Sequence, residues 1–419
     1  MQGRELIVFL AMAMALSALG IDLLLPAFPD IRAEFGLAPS STVVSRFITA
    51  YFVGLAAGQL LIGPLADRFG RRALMRAGIV LYLVGAALTI VAPTLASLLA
   101  ARLVWGVGAA TGRVLAVAIV RDRFVGAAMA RTVSLIMAVF VTVPVVAPAI
   151  GVVMLRFLAW DQLVLLNIGA AVAVLVWSSR LEETLPATSR RTLRPRELWT
   201  SASRVLLHPS SGPLVMAQAV LFGGFASYLS TSEVIYREVF DREALFPVLF
   251  GGMALIMGMA TLVNSRLVER IGLSRMIRVV LAGYLVGATL LLAVAILSGG
   301  RPPLTVYVLV LVVLLSSHAV LIPNLNARAM EPMGDIAGTA SAVNGSLLIG
   351  GGALIGAGID RAYDGSVLPL AAAMVIIGLA TAGLLRRSLA GVNGTGDPSR
   401  DPRSGRPHDG RSASPRGPS

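Results

Sequence analysis

Twelve long apolar runs, separated by short polar stretches, take up most of the chain between residues 5 and 386. They read as Leu6–Leu25, Val43–Ile62, Leu74–Val91, Leu98–Val120, Val133–Leu155 and Gln162–Ser178, then Pro213–Ile235, Leu245–Leu262, Ile277–Leu297, Leu304–Leu325, Ile336–Ile359 and Val367–Leu385. About 20 apolar residues in a helix cross the ~30 Å hydrocarbon core of a bilayer. The pattern therefore predicts an all-α membrane protein with twelve transmembrane helices. The first run has the outline of a secretory signal peptide, with Arg4 as its charged region. Asp22 inside it, Pro26 and Pro29 after it, and the lack of a small-x-small cleavage site favour a retained span.

The polar stretches set the topology. Gly63-Pro64-Leu65-Ala66-Asp67-Arg68-Phe69-Gly70-Arg71-Arg72 is a tight basic turn between the second and third runs. Basic turns attach to the cytoplasmic side. Assigned by that rule, 21 arginines fall on the cytoplasmic face and seven on the other. This predicts a multi-pass protein of the plasma (inner) membrane with both termini cytoplasmic. Leu65-x-Asp67-Arg68-x-Gly70 recurs as Leu267-x-Glu269-Arg270-x-Gly272, in the matching place of the second six runs. Such an echo points to two pseudo-symmetric six-helix bundles. The expected division is an N-terminal half at 1–179, a cytoplasmic loop at 180–211, a C-terminal half at 212–387 and a tail at 388–419. The tail is rich in Gly, Pro, Ser and Arg, and is expected to be disordered.

Composition narrows the function. Charged residues are 14% of the chain, against roughly 25% in soluble domains. The net charge of +13 lies in loops and tail, with no folded basic face, so it does not imply nucleic acid. With no Cys there are no disulfides or thiolate metal sites, and with no Lys there is no Walker-A phosphate loop or lysine Schiff base. No nucleophile–base pair or metal-spaced cluster stands out, so an enzyme is not expected. No cofactor is expected either.

The basic turn resembles the G-x-L-x-D-R-x-G-R-[RK] signature of the major facilitator superfamily. Three further stretches resemble its twelve-span drug:proton antiporters, especially the Bcr/CflA group. They are Asp22 to Pro29, then Arg102-x-x-x-Gly106-x-Gly108-Ala109-Ala110 with Ile119 to Asp122, and Ala147-Pro148-x-x-Gly151. Met330-Glu331-Pro332 through Ala342 is similar to the same group near span eleven. The likeness runs from about Leu6 to Leu385. One position departs: Trp105 stands where that group usually has Gln. The resemblance implies a proton-driven, monomeric antiporter that exports small amphipathic compounds or antibiotics by alternating access, with the proton gradient as its energy source.

An acid inside an apolar run is expensive unless paired, protonated or facing water, which makes Asp22 the candidate proton carrier. By helical rise, Asp22 lies about 24 Å from the cytoplasmic face and Arg102 about 6 Å from the other face of a ~30 Å core. At one level they can pair, with Arg102 tuning Asp22. Both reaching the outer interface is the bland alternative. Gly63, Asp67, Arg68, Gly70, Arg71 and Arg72 are expected to form a conformational switch with Arg121 as a candidate partner. Pro144, Pro148 and Gly151 are expected to loosen span five where the halves meet, or merely to kink it. Polar residues within spans, namely Tyr51, Gln59, Arg113, Gln218, Tyr228, His318 and Asn344, are candidate cavity points. His318 also reads as a packed residue and Arg113 as snorkelling. Glu233 and Arg46 read as solvated end charges. Two other functions fit this scaffold: a dedicated metabolite exporter or importer, and a non-transporting membrane sensor or scaffold.

Overall fold

A computed structural model describes residues 1, 3–186, 188 and 195–394. Of the tail expected to be disordered at 388–419, residues 388–394 are helical instead and 395–419 lie outside the described residues. All regular elements among the described residues are helical, and 12 are long and apolar enough to cross a membrane. These spans are Gly3–Glu34, Thr42–Phe69, Arg71–Ile90, Leu95–Arg123, Gly126–Met154, Trp160–Arg180, Ser211–Val239, Glu243–Ile271, Leu273–Leu297, Leu304–Gly334, Gly338–Asp360 and Leu368–Leu389. Each span overruns its apolar run at one end or both, because helical hydrogen bonding continues past the hydrocarbon. The last helix reaches Gly394, beyond the expected start of the tail, and Ser388 is fixed by donating to the Ser210 carbonyl at 2.9 Å. The central loop is not all loop, since Pro195–Leu207 is a helix.

Local chemistry explains the breaks. Pro26 turns the end of span one into a short tight helix at Leu25–Ala27 before Phe28–Glu34 continues. Gly70 and Gly272 end spans two and eight at φ +96° and +84°, a backbone shape that favours glycine. These are the two glycines of the sequence echo. Thr94 and Ser97 cap span four reciprocally. Span eleven carries a π-helical turn at Leu347–Gly351, and span seven ends in one at Ile235–Val239. Span five runs unbroken from Gly126 to Met154 through Pro144 and Pro148, so the expected loosening is not a break.

The packing repeats. In the N half, span one packs on four, five and six, span four on two and three, and span three on six. In the C half, span seven packs on ten, eleven and twelve, span ten on eight and nine, and span nine on twelve. Adding six to each N-half pair yields a C-half pair, which is the signature of a duplicated bundle. Span four is the axle of the N half: Gly106, Gly108 and Gly112 bring it against the backbones of Tyr51, Tyr82 and Ala13 on spans two, three and one.

The halves meet along spans two and eleven and along spans five and eight. At the centre Phe52 meets Phe222 edge to face, 5.4 Å between centroids. A side chain in place of Gly350 would meet Ala56, and one in place of Gly251 would meet the Val145 carbonyl at 2.8 Å.

Gly106→Val should therefore cost about 1–3 kcal/mol by overpacking. Gly283→Val, where a Cβ meets nothing within 4 Å, should leave thermal unfolding in detergent unchanged. Equal melting of the two variants would contradict the axle role of span four.

Candidate functional site

Arg102 has no exposed surface. Its guanidinium lies over Phe47, Tyr51 and Trp105, at 4.0, 4.5 and 4.7 Å from the ring centroids. Such faces attract a desolvated cation by their quadrupoles. Nη1 donates to the Gly20 carbonyl at 2.9 Å and Nε to the Phe47 carbonyl at 3.4 Å, while Nη2 has no partner. Trp105, the departure from the family pattern, supplies one wall of this box. It also meets Tyr82 edge to face at 5.4 Å.

Asp22 is buried two residues beyond the Gly20 carbonyl that Arg102 holds. The two charges share a level, as the depth arithmetic expects, yet they form no ion pair. Arg102 is turned toward rings and carbonyls instead, and Asp22 makes no hydrogen bond or ion pair among the described residues. Beside it, Pro148 and Gly151 are the buried face of span five. A Cβ at Gly151 would stand 2.5 Å from the Leu23 carbonyl, so this glycine seats span five on the end of span one.

Between the halves the surface is aromatic. Phe222 and Phe225 flank His318, whose ring stacks on Phe225 at 4.8 Å and 18°. Tyr228 stacks on Phe250 at 5.9 Å and 7°, and its buried hydroxyl has no partner. His318 is thus a packed residue of this seam. The seam's phenylalanines carry no polar mark in the sequence, and only their shared position across the interface distinguishes them.

Other expected cavity points are spent on packing. The Tyr51 hydroxyl donates to the Ser17 carbonyl at 2.9 Å, inside the N half. Gln218 and Asn344 exchange amide hydrogen bonds at 3.2 and 3.1 Å, and Asn344 donates to Asn326 at 2.7 Å. They tie spans seven, ten and eleven together rather than standing free. Arg113 lies half-buried over Phe140, 5.7 Å from its centroid, facing span five rather than snorkelling. Gln59 abuts Gly345 of span eleven, with its buried Oε1 unpartnered.

The basic turn is held by different partners from those expected. Arg71, buried, pairs with Asp67 at 2.7 Å and with Asp122 at 3.2 Å. Asp122, not Arg121, is the span-four partner; Arg121 points across to Gly338 at the start of span eleven. Arg68 lies over its neighbour Phe69. Gly63 has nothing near its Cβ position, whereas Gly70 meets the Glu183 carboxylate. Glu183 accepts the backbone N–H groups of Arg71 at 2.8 Å and Arg72 at 3.2 Å, capping span three. Partial burial pushes its carboxyl up, but donors from Leu185, Arg71, Arg72 and Thr184 outweigh it and hold the group below its ordinary value. Glu182 is likewise lowered, first by the Arg123 hydrogen bond. Arg68 and Arg72 make no ion pair among the described residues, nor do their echo's Glu269 and Arg270.

On the opposite face, sequence reasoning missed a latch. Arg32, in the last turn of span one, donates to Glu233 of span seven at 2.8 Å, and both are buried. Glu233 also pairs with Arg237 at 2.9 Å, and Arg237 donates to the Pro39 carbonyl at 2.6 Å. Glu233 is thus no solvated end charge, and it ties the halves together. The 201 residues between Arg32 and Glu233 leave no local pattern to find.

The sequence profile of the Major Facilitator Superfamily matches residues 10–357. The chain is 31% identical over 350 residues to an uncharacterized MFS-type transporter of Bacillus subtilis, YdgK, covering 81% of this chain and 84% of that one. A bicyclomycin resistance protein homolog of Haemophilus influenzae is 28% identical, with coverage of 80% and 84%. The Escherichia coli multidrug resistance protein MdtL is 30% identical, covering 54% of this chain and 56% of its own. In structure, the partially occluded inward-open xylose transporter XylE of E. coli superposes with a TM-score of 0.71 at 13% identity, covering 92% of this chain and 97% of its own.

Two tests follow from the geometry. Because the Glu183 carboxyl is lowered, its clasp contributes fully above the ordinary carboxyl value and is lost as pH falls from there through the lowered one. Glu183→Gln should weaken the exposed cap by about 0.5 kcal/mol and speed amide exchange at Arg71 and Arg72 roughly twofold at neutral pH. The variant should also lose the wild type's fall in protection, measured against the intrinsic exchange rate at each pH, on acidification. Breaking a buried pair costs about 3–5 kcal/mol, so Arg32→Ala should open the latch. A cysteine introduced at buried Ser232 should then react with a water-soluble maleimide about tenfold faster or more. Unchanged reactivity would mean the pair does not hold the halves together.

Proposed function

The chain belongs to the Major Facilitator Superfamily, and from that premise we propose that it is a proton-coupled antiporter exporting small amphipathic organic compounds. It is a multi-pass transporter, not an enzyme. The observation that carries the proton-coupled reading is the pair of unspent charges at one level of the N half. Asp22 has no hydrogen bond or ion pair among the described residues, and Arg102 of span four, whose Nη1 holds the Gly20 carbonyl two residues before Asp22, leaves Nη2 free. An unpaired carboxyl in hydrocarbon is costly as an anion, so it favours a proton or a cationic substrate. Binding of either excludes the other, and that exclusion is what antiport requires.

The substrate reading rests on the seam of Phe52, Phe222, Phe225, Tyr228, Phe250 and His318. Such a surface suits flat amphipathic molecules more than sugars, and selects by shape and area rather than by a fixed set of hydrogen bonds. The relatives named for bicyclomycin and multidrug resistance support the same class. In this reading the basic turns face the cytoplasm of a plasma-membrane monomer, and the Arg32–Glu233 latch closes the outer side. Parting spans two and eleven opens the seam, while Asp67, Arg71 and Asp122 brace the N half as it rocks.

Reconstitution with a trapped pH dye and a panel of lipophilic cations and neutral antibiotics tests this. Several unrelated compounds should each drive counter-movement of protons, and Asp22→Asn should abolish it while the neutral compounds still bind. Proton movement with one compound only would make the protein a dedicated exporter. None with any compound would sink the antiporter reading.

A further inference from the structure

Asp360, at the outer end of span eleven, is a third buried acid beside Asp22 and Glu233. Its Oδ1 accepts the Ser227 hydroxyl at 2.6 Å and its Oδ2 the Ser230 hydroxyl at 2.5 Å, both from span seven. The hydroxyl of Ser45, from the N half, faces the same carboxylate. Ser227, Thr231, Tyr363 and Asp360 line a cavity of about 10 Å³, room for a single water. The buried Tyr363 hydroxyl has no protein partner. Span twelve contributes only Pro369 and Leu370 to this cavity. The nearby charges on span seven and beyond, Glu233, Arg32 and Arg237, are spent on one another. Asp360 therefore has hydroxyl donors and a water-sized space, but no cation.

We propose that Asp360 is a second proton-binding carboxyl, loaded from the outer face and sealed by Ser45 when the halves close there; this rests on the proton-coupled reading above. The network accommodates both protonation states. With the carboxylate ionised, Ser230 donates to Oδ2. When a proton arrives from water, the new O–H at Oδ2 donates to the Ser230 oxygen. Ser230 then turns its own hydrogen to the carbonyl of Ala226, 3.0 Å away, or of Ser227, 3.1 Å away. No buried donor is lost in either state, which a site meant to cycle requires. Opening the outer face withdraws Ser45 with the N half, and the carboxyl meets water there. A purely structural acid, clamped to serines for stability, needs neither a switchable acceptor nor a lid from the other half.

The test uses the full chain in proteoliposomes. A hydrophobic carbodiimide modifies protonated carboxyls, and peptide mass spectrometry separates Asp360 from Asp22. Across roughly pH 5 to 9, the range bracketing perturbed carboxyls, Asp360 should gain label on acidification in the wild type and in Asp22→Asn. Ethidium exchange in Asp360→Asn should move fewer protons per ethidium than in the wild type. Labelling of Asp360 that ignores pH while that of Asp22 follows it would overturn this inference and leave the antiporter reading intact. Labelling of neither that follows pH would remove both. An unchanged proton-to-ethidium ratio in Asp360→Asn would also overturn the second site, whereas a folding failure of that variant leaves the wild-type labelling to decide.

Discussion

A guanidinium sealed from water inside hydrocarbon must be matched on every side, and Arg102 sets that requirement for the N half. Three aromatic faces and two backbone carbonyls meet it everywhere but at Nη2, and they come from spans one, two and four. Misplacing any of these helices leaves a desolvated charge unmatched, at a cost of several kcal/mol. The glycines of span four let the helices come close enough for the rings to reach. Asp22 inherits its position from this arrangement, because the Gly20 carbonyl is one of the two that Arg102 holds.

The scaffold is symmetric, but its chemistry is not. Each N-half helix pair has its C-half counterpart six spans on, yet among the described residues the C half has no counterpart of the Arg102 box. Instead it has an aromatic seam, an amide knot of Gln218, Asn326 and Asn344, and a carboxyl wrapped in hydroxyls. The basic turn shows the same divergence. Gly70 and Gly272 share their backbone shape, while Asp67 and Arg71 are paired and Glu269 and Arg270 are not. Duplication supplied the frame, and substitution then assigned the two halves different tasks.

The spans were legible because hydrocarbon punishes polar residues, so apolar length alone locates them. Asp22 and Arg102 stood out for the same reason. Their relationship was misread because depth along two helices says nothing about the direction in which a side chain turns. Trp105 was visible as a departure from the family pattern, but its role as a wall for Arg102 was not. Arg32 and Asp360 escape notice in the sequence, and Glu233 reads there as a solvated end charge, because they sit at helix ends, where charge is ordinarily solvated. Their partners lie 130 to 201 residues away, a separation at which local pattern carries no information.

The start of the central loop has a mechanical consequence. Arg180 is held by Glu5, Glu182 by Arg123, and Glu183 by the head of span three. The helix Pro195–Leu207 packs on spans seven and eleven of the other half. Residues 186–194 alone join these two anchorages, and fully extended they reach at most about 35 Å. The loop is therefore a tether with a fixed stop. Any parting of the inner ends of the two halves is bounded by the length of that strap, and shortening it would tighten the bound.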